Sequence, residues 1–435
     1  MLDDRSWALL RRLTRFLDQF KICFGHRAQV ASLTQYVHGL LGDSARKSMQ
    51  AMLTRVTEPV SYQAFQHFIT HAPWRVGPVW RRLLAVLPER RGVLVLDDTG
   101  FPKQGTHSVG VSRQYSGTLG KIANCQVAVT AALWTGARAW LLGAELYLPE
   151  SWLTPERRQQ ARIPGSVRFQ EKWRLALTLI RRARRAGLQI DLVVADAGYG
   201  DGLPFRTALA RQRLPYMLGV AGNLALWVGP PTVGSRRYTR GVTAASVGAV
   251  QAAHWAAQQP RRAWRRVSWR NRSHRPWAAQ FMAVRITPVG LWRHHQRFAE
   301  EWLLCQRPLG ATTATAHDRY FVSNLPATTS LAALVRAAHQ RWAIEQQYQE
   351  LKTELGLDHF EGRSYPGWQH HVVITAIAYA FLQQERMRPR PGPRLTLPQL
   401  CAIVQEIFTG LLFISRPRYM HWMRQAEIRF HQLRL

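Results

Sequence analysis

Three carboxylates far apart in the chain have surroundings suited to holding metal: Asp98, Asp196 and Glu345. Asp98 closes the apolar run Val93-Leu94-Val95-Leu96-Asp97-Asp98, and Asp196 closes Leu192-Val193-Val194-Ala195-Asp196. Such runs, followed by Thr99-Gly100 and Ala197-Gly198, read as buried strands ending in turns. An acid leaving a buried strand is costly unless something pairs with it, and a bound cation is the natural partner. An all-oxygen donor set suits Mg²⁺, with Mn²⁺ as its substitute. With two ions, one activates a water and the other stabilises a leaving 3′ oxygen, which is phosphodiester hydrolysis. Asp98 and Asp196 would bridge or flank both ions and Glu345 would complete the coordination of the second. The reading is a DNA-cutting enzyme.

The helix around Glu345 supports it. At about 100° per residue from Arg341, Glu345, Tyr348 and Lys352 fall on one narrow stripe. Ile344, Leu351 and Leu355 form an adjoining apolar stripe that would pack on a sheet, while Glu350 lies opposite Glu345. The plainer reading is a solvated helix face, since Arg341 and Glu345 make an ordinary i,i+4 pair. Two strand-end aspartates in the matching chain order favour the site. Arg341 and Lys352 would then grip phosphates. Asp97 competes with Asp98, because successive strand residues face opposite sides. Asp98 is preferred, since the turn is expected to start directly after it. Asp201 and Glu350 are the nearest alternatives at the other two positions.

Charge points to the same partner. The chain carries 59 basic and 26 acidic residues, a net +33 over 435 residues. From Gly202 to Ala299 there are sixteen arginines and no acid, where composition alone would place roughly six carboxylates. An arginine-rich proteome would raise the net charge too, but it would not remove every acid from one segment. Nucleic acid is the expected partner, and Arg261, Arg262, Arg265, Arg266, Arg270, Arg272 and Arg275 are the expected phosphate contacts. Trp255, Trp264, Trp269, Trp277, Trp292 and Trp302 crowd the same region and are more often core than base-stacking. Gly117-Thr118-Leu119-Gly120-Lys121 lacks the spacing of a phosphate-binding loop. The four cysteines show no zinc spacing and read as reduced thiols of a cytoplasmic protein. His370-His371 and His294-His295 read as surface or DNA-facing. No apolar leader is visible, and Val372 to Leu382 is too short to cross a membrane.

These residues need elements to bring them together. The fold class expected is α/β: a ribonuclease H-like core interrupted by a β-rich insertion, with a helical N-terminal domain and a helical C-terminal tail. Residues 1–88 form the helical domain, with helices over Gln29–Leu41 and Ser44–Val56 and with Arg46, Lys47 and Arg55 on an outer face. Residues 89–228 hold three meandering strands, a helix over Glu171–Ala186 and the Asp196 strand. The insertion covers 229–317, with strands over Trp264–Trp269, Ala279–Ile286 and Trp302–Gln306. The core resumes at 318–386 with helices over about 330–355 and 367–386, and 387–435 is linker and tail.

The stretches LDDTGFPKQG (96–105), RQYSGTLGKIANCQVAV (113–129), VVADAGYGD (193–201), YFVSNLP (320–326) and RWAIEQQYQELKTELGLDHFEGRS (341–364) resemble the DDE transposases of the insertion sequence 701 family. The resemblance covers most of residues 25–385. It implies cut-and-paste transposition at terminal inverted repeats, with double-stranded DNA as substrate and target. It also implies a homodimer acting on paired ends. Related enzymes carry a Tyr-Arg-Glu-Lys signature, which Arg341, Glu345 and Lys352 fit; the Tyr position holds Ala338. That phosphate contact is absent or comes from another group, Tyr348 being a candidate. Lys103, Arg113 and Lys121 complete the expected DNA contacts. The competing function is a relative that binds inverted repeats and regulates without cutting; a different nuclease on the same fold is the outside alternative.

Overall fold

Five helices open the chain: α1 (Asp4–Asp18), α2 (Arg27–Leu41), α3 (Met49–Thr54), α4 (Tyr62–Thr70) and α5 (Val76–Ala85). They belong to a computed structural model that describes residues 3–117, 119–229, 248–270, 277–289, 300–389 and 392–415, with His421 and Gln425. Asp3, Ser48 and Ser61 cap α1, α3 and α4, each side-chain oxygen accepting from a backbone amide of the first turn, which satisfies a donor the helix cannot. Ser48 rather than Ser44 is the cap, so the second predicted helix starts later than expected. Lys47, placed by the sequence on an outer face, is instead buried, with Nζ on the Gly42 carbonyl.

The sheet begins with β1 (Arg91–Pro102), β2 (Ser112–Ser116), β3 (Lys121–Trp134) and β4 (Ala139–Leu146). β1 does not stop at Asp98. It runs on to Pro102, because the long β3 offers it antiparallel partners as far as Pro102↔Cys125. Both aspartates therefore sit inside a regular strand. Gly92 is required there, since a Cβ would lie 2.4 Å from the Trp134 carbonyl oxygen. Short α6 (Pro155–Ala161) leads to α7 (Lys172–Arg185) and β5 (Gln189–Ala195), which pairs parallel with β1. Then come α8 (Ala197–Gly200), α9 (Leu203–Arg211) and β6 (Tyr216–Val220), parallel to β5. Strand, strand, strand, helix, parallel strand is the anticipated core order, with β2 added at the edge of β3.

Residues 225–307 contribute β7 (Ala225–Val228), β8 (Val250–Gln251), α10 (Ala252–Ala257), β9 (Arg265–Arg270), β10 (Trp277–Pro288) and β11 (Glu301–Arg307), after which β12 (Arg319–Ser323) returns. Of these, β7 falls within the range assigned to the core and β8 is not anticipated, while β9, β10 and β11 match the three strands expected in an inserted sheet. They extend the core sheet instead: β12 pairs with both β6 and β11, giving the order β2-β3-β1-β5-β6-β12-β11-β10-β7-β8. An open β6 edge satisfied by β12 leaves no break between core and insertion. Buried ion pairs hold the junction, with Arg307 on Asp318 at 3.1 Å and Arg206 on Glu301 at 3.5 Å.

The last helices are α11 (Leu331–Ala338), α12 (Trp342–Thr353), α13 (Tyr365–Met387) and α14 (Leu397–Ser415). A 3₁₀ turn over His339–Arg341 breaks what the periodicity reads as one helix. Leu334 and Val335 of α11 pack on Val194, Met217 and Leu304, and Ile344 of α12 packs on Val95 and Ala132. Leu351 and Leu355 join the largest core cluster, which also takes in α13 and the N-terminal helices. His370 and His371, expected at the surface, are buried in α13. His370 bonds the Ile69 and Trp74 carbonyls and stacks on Trp74; His371 bonds Tyr36 and the carbonyls of Gly356 and Leu357. α13 is where the N-terminal helices close onto the core, so imidazoles there satisfy carbonyls that water cannot reach. α14 alone among the described helices is long and apolar enough to cross a membrane by length and composition. It packs on α13 and α2.

The core position of α13 is testable. Phe381 is buried and stands 5.7 Å from the Phe16 ring. Phe381→Ala should cost about 3–5 kcal/mol in urea unfolding. A loss under about 1 kcal/mol would mean that α1 and α13 do not share one core.

Candidate active site

Pleating decides which aspartate meets α12. Val93, Val95 and Asp97 alternate with Leu94, Leu96 and Asp98 along β1, and Val95 touches Ile344. Asp97 is thus turned to the α12 face, where Arg341 Nη1 donates to its Oδ2 at 2.5 Å. Arg341 Nη2 donates to Glu345 Oε1, also at 2.5 Å, so one guanidinium bridges the two carboxylates. The other Asp97 oxygen accepts the Asp98 amide at 2.9 Å. Asp98, the preferred residue of the sequence reading, faces the opposite side. Its Oδ2 accepts from Lys172 Nζ at 2.6 Å and its Oδ1 from the Tyr199 hydroxyl. The expectation rested on a turn after Asp98, and β1 has none there.

Asp196 is the N-cap position of α8, at the end of β5. It lines a cavity of about 620 Å³ with Arg341, Trp342, Glu345, Trp277 and Arg319. Its Oδ1 is buried with no hydrogen-bond partner among the described residues, which is costly for a carboxylate. Burial raises the Asp196 carboxyl above its ordinary range, the Asp98 charge adds to this, and Arg341 opposes it. Burial also pushes Asp97 up to about 7, with Arg341 opposing and the charges of Asp196 and Asp98 reinforcing. These are acids crowded together and short of positive charge. As the side chains are placed, no three His, Cys, Asp or Glu among the described residues stand close enough to hold an ion.

The remaining candidates divide by what they touch. Tyr348 bonds Thr130, the cross-strand neighbour of Asp97, at 2.5 Å. Lys352 donates to the Gly100 carbonyl at 2.8 Å, and Lys103 to the carbonyls of Asp358 and Phe360. Asp201 accepts the Ala221 amide, and Glu350 is buried under the Tyr379 hydroxyl. Arg113 and Lys121 are exposed on the β2–β3 hairpin, and Arg261, Arg262, Arg265 and Arg266 are exposed in and before the edge strand β9. The Arg270 side chain, Arg272, Arg275, Trp292 and His294-His295 lie outside the described residues. Of the tryptophans, Trp264 is buried under Arg307, Trp269 stacks on His339 at 3.8 Å, and Trp277 is 49 % exposed beside the cavity. Lys172 and Tyr199 escaped the sequence reading. Tyr199 was within reach, three residues after Asp196 in the same motif.

A family model described as DDE superfamily endonuclease matches residues 19–276. The chain belongs to the DDE superfamily of endonucleases. A second model, Transposase DDE domain, matches residues 172–381 of the chain. A curated relative, the probable transposase for insertion sequence element IS701 of Microchaete diplosiphon, is 30% identical over 196 residues. The match takes in 43% of this chain and 48% of the relative, so it spans about half the relative's length. A cryo-EM structure of the piggyBac transposase synaptic complex with hairpin DNA aligns at a TM-score of 0.42 and 9% identity, over 92% of this chain and 76% of that one. The family relation agrees with the resemblance read from the motifs, implies a ribonuclease H-like core, and brings with it the use of divalent metal ions.

The acid cluster has a pH signature. Asp97 titrates higher folded than unfolded, so its favourable contribution is complete below about pH 4 and is lost as pH rises through about 7. Without divalent metal, the wild-type protein should lose stability relative to Asp97→Asn between pH 5 and 8. The size should be on the order of a few kcal/mol. Parallel pH profiles would mean that the carboxyl ionises as an exposed one does.

Proposed function

We propose that this DDE endonuclease is a transposase that cuts DNA at the terminal inverted repeats of its element and transfers the cut strand. The observation that carries the reading is the meeting of Asp97, Glu345 and Arg341 on one face, with Asp196 and Glu345 lining the same cavity. Asp97, Asp196 and Glu345 are the proposed metal-holding residues, Asp97 replacing Asp98. The donors fit a hard cation: all are carboxylate oxygens, one buried oxygen of Asp196 is unpartnered, and burial with like charge disfavours ionised acids until positive charge arrives. Two Mg²⁺ ions, or Mn²⁺, would supply an activated water and stabilise the leaving 3′ oxygen.

The chain's own residues do the rest. Arg341 bridges Asp97 and Glu345, offsetting one of their two charges, and could exchange one of them for a phosphate. Arg261, Arg262, Arg265 and Arg266 give the outer strand a basic rim for the DNA backbone, and Arg113 and Lys121 do so on the β2–β3 hairpin. Lys103, Lys352 and Tyr348 act at one remove, holding loop, strand and helix in place around the carboxylates. A homodimer on paired DNA ends and a cytoplasmic location complete the proposal.

The test uses the full chain, a duplex carrying the terminal repeats of its element, and Mg²⁺. Asp97→Asn, Asp196→Asn and Glu345→Gln should each lower nicking by roughly 10³-fold or more, since metal catalysis supplies several kcal/mol, while DNA binding is retained. Binding without cleavage by the unmutated protein would point to an inverted-repeat-binding regulator. Arg265→Ala with Arg266→Ala should lower the slope of log affinity against log salt by about one to two. An unchanged slope would remove β9 from the DNA interface.

A further inference from the structure

Asp98 is a charged residue the proposed chemistry does not use. It lies on the sheet face away from Glu345, yet both its oxygens are engaged, one by the Tyr199 hydroxyl and one by Lys172 Nζ at 2.6 Å. Tyr199 is buried, its ring 5.7 Å from that of Phe205. Its backbone amide donates to the Asp196 carbonyl at 3.2 Å, and the Gly200 amide donates to the same oxygen at 3.0 Å. Tyr199 and Asp196 are therefore two ends of one tight turn. The other side of that turn is pressed on β6, where a Cβ on Gly200 would stand 1.9 Å from the Gly219 carbonyl oxygen. Lys172 adds a third piece, the first residue of α7.

We propose that Asp98, Tyr199 and Lys172 form a brace beneath the sheet that positions Asp196 for metal. The inference rests on the reading of Asp196 as a metal-holding carboxylate. Asp98 is then a positioning residue, acting through the Tyr199 hydroxyl on a turn whose far end carries the carboxylate. The pleat gives the two adjacent aspartates different tasks: Asp97, on the α12 face, would help hold a cation, and Asp98 would fix the turn that carries Asp196. Lys172 balances the Asp98 charge and ties the start of α7 to the same point.

The decisive measurement is Mn²⁺ binding to the full-length protein, by calorimetry or electron paramagnetic resonance, with metal-free thermal unfolding alongside. Tyr199→Phe removes one hydroxyl and keeps the ring, so the fold should persist. It should weaken Mn²⁺ binding by roughly 10-fold or more, the usual cost of losing a group that orients a ligand. Asp98→Ala should weaken binding at least as much, and the double variant should be no worse than Asp98→Ala, because both act through one contact. Wild-type affinity in Tyr199→Phe would overturn the brace. So would losses that multiply in the double variant. Loss of binding in Asp98→Ala with none in Tyr199→Phe would make Asp98 itself a ligand. Asp196→Asn with unaltered Mn²⁺ affinity would instead sink the reading of Asp196, whatever Tyr199 does.

Discussion

The alternation of side chains along β1 is the constraint on which the site depends. Asp97 and Asp98 cannot face the same way in a paired strand, and β3 keeps the strand paired past both. One carboxylate is committed to α12 and the other to α7 and the Asp196 turn. Had β1 ended at Asp98, the chain could have curled and either residue could have reached the cleft. The register Asp97↔Thr130 then carries the arrangement across the sheet, since Thr130 holds Tyr348 of α12.

Around the carboxylates of this basic molecule two cations, Arg341 and Lys172, are shared by three acids. Arg341 serves Asp97 and Glu345 together, while Lys172 serves Asp98. Among the described residues Asp196 has no hydrogen-bonded cation, and its buried Oδ1 has no hydrogen-bond partner. Buried acids in such surroundings favour protonation or a cation, and the raised carboxyls of Asp97 and Asp196 express this. The break between α11 and α12 follows from the same demand. The 3₁₀ turn over His339–Arg341 brings Arg341 to the sheet just before Ile344 anchors α12 on Val95 and Ala132.

The basic segment is joined to the layer that carries the carboxylates more tightly than an appended module would be. β12 lies between β6 and β11, so β9 and β10 belong to the sheet that carries Asp97 and Asp196. Trp269 of β9 stacks on His339, two residues before Arg341, and Trp277 of β10 borders the cavity.

Much of this was legible in the sequence. Local signals located β1, β5, α7, α12 and α13, because apolar period, caps and turn residues act within a few positions. The sequence singled out Asp98, Asp196 and Glu345 because acids at the apparent ends of apolar runs are costly without a partner; β1 in fact runs on past Asp98 to Pro102. What the sequence could not decide was anything set by a distant partner. The extension of β1 to Pro102 depends on β3, the choice of Asp97 over Asp98 depends on that extension, and the burial of Lys47, His370 and His371 depends on helices closing over them. The outer strands read as a separate sheet because an open edge at β6 is invisible until β12 fills it. Residue types determined which groups could hold a cation; long-range strand pairing decided which of them face one another, because hydrogen-bond register, not local preference, sets the direction of each side chain.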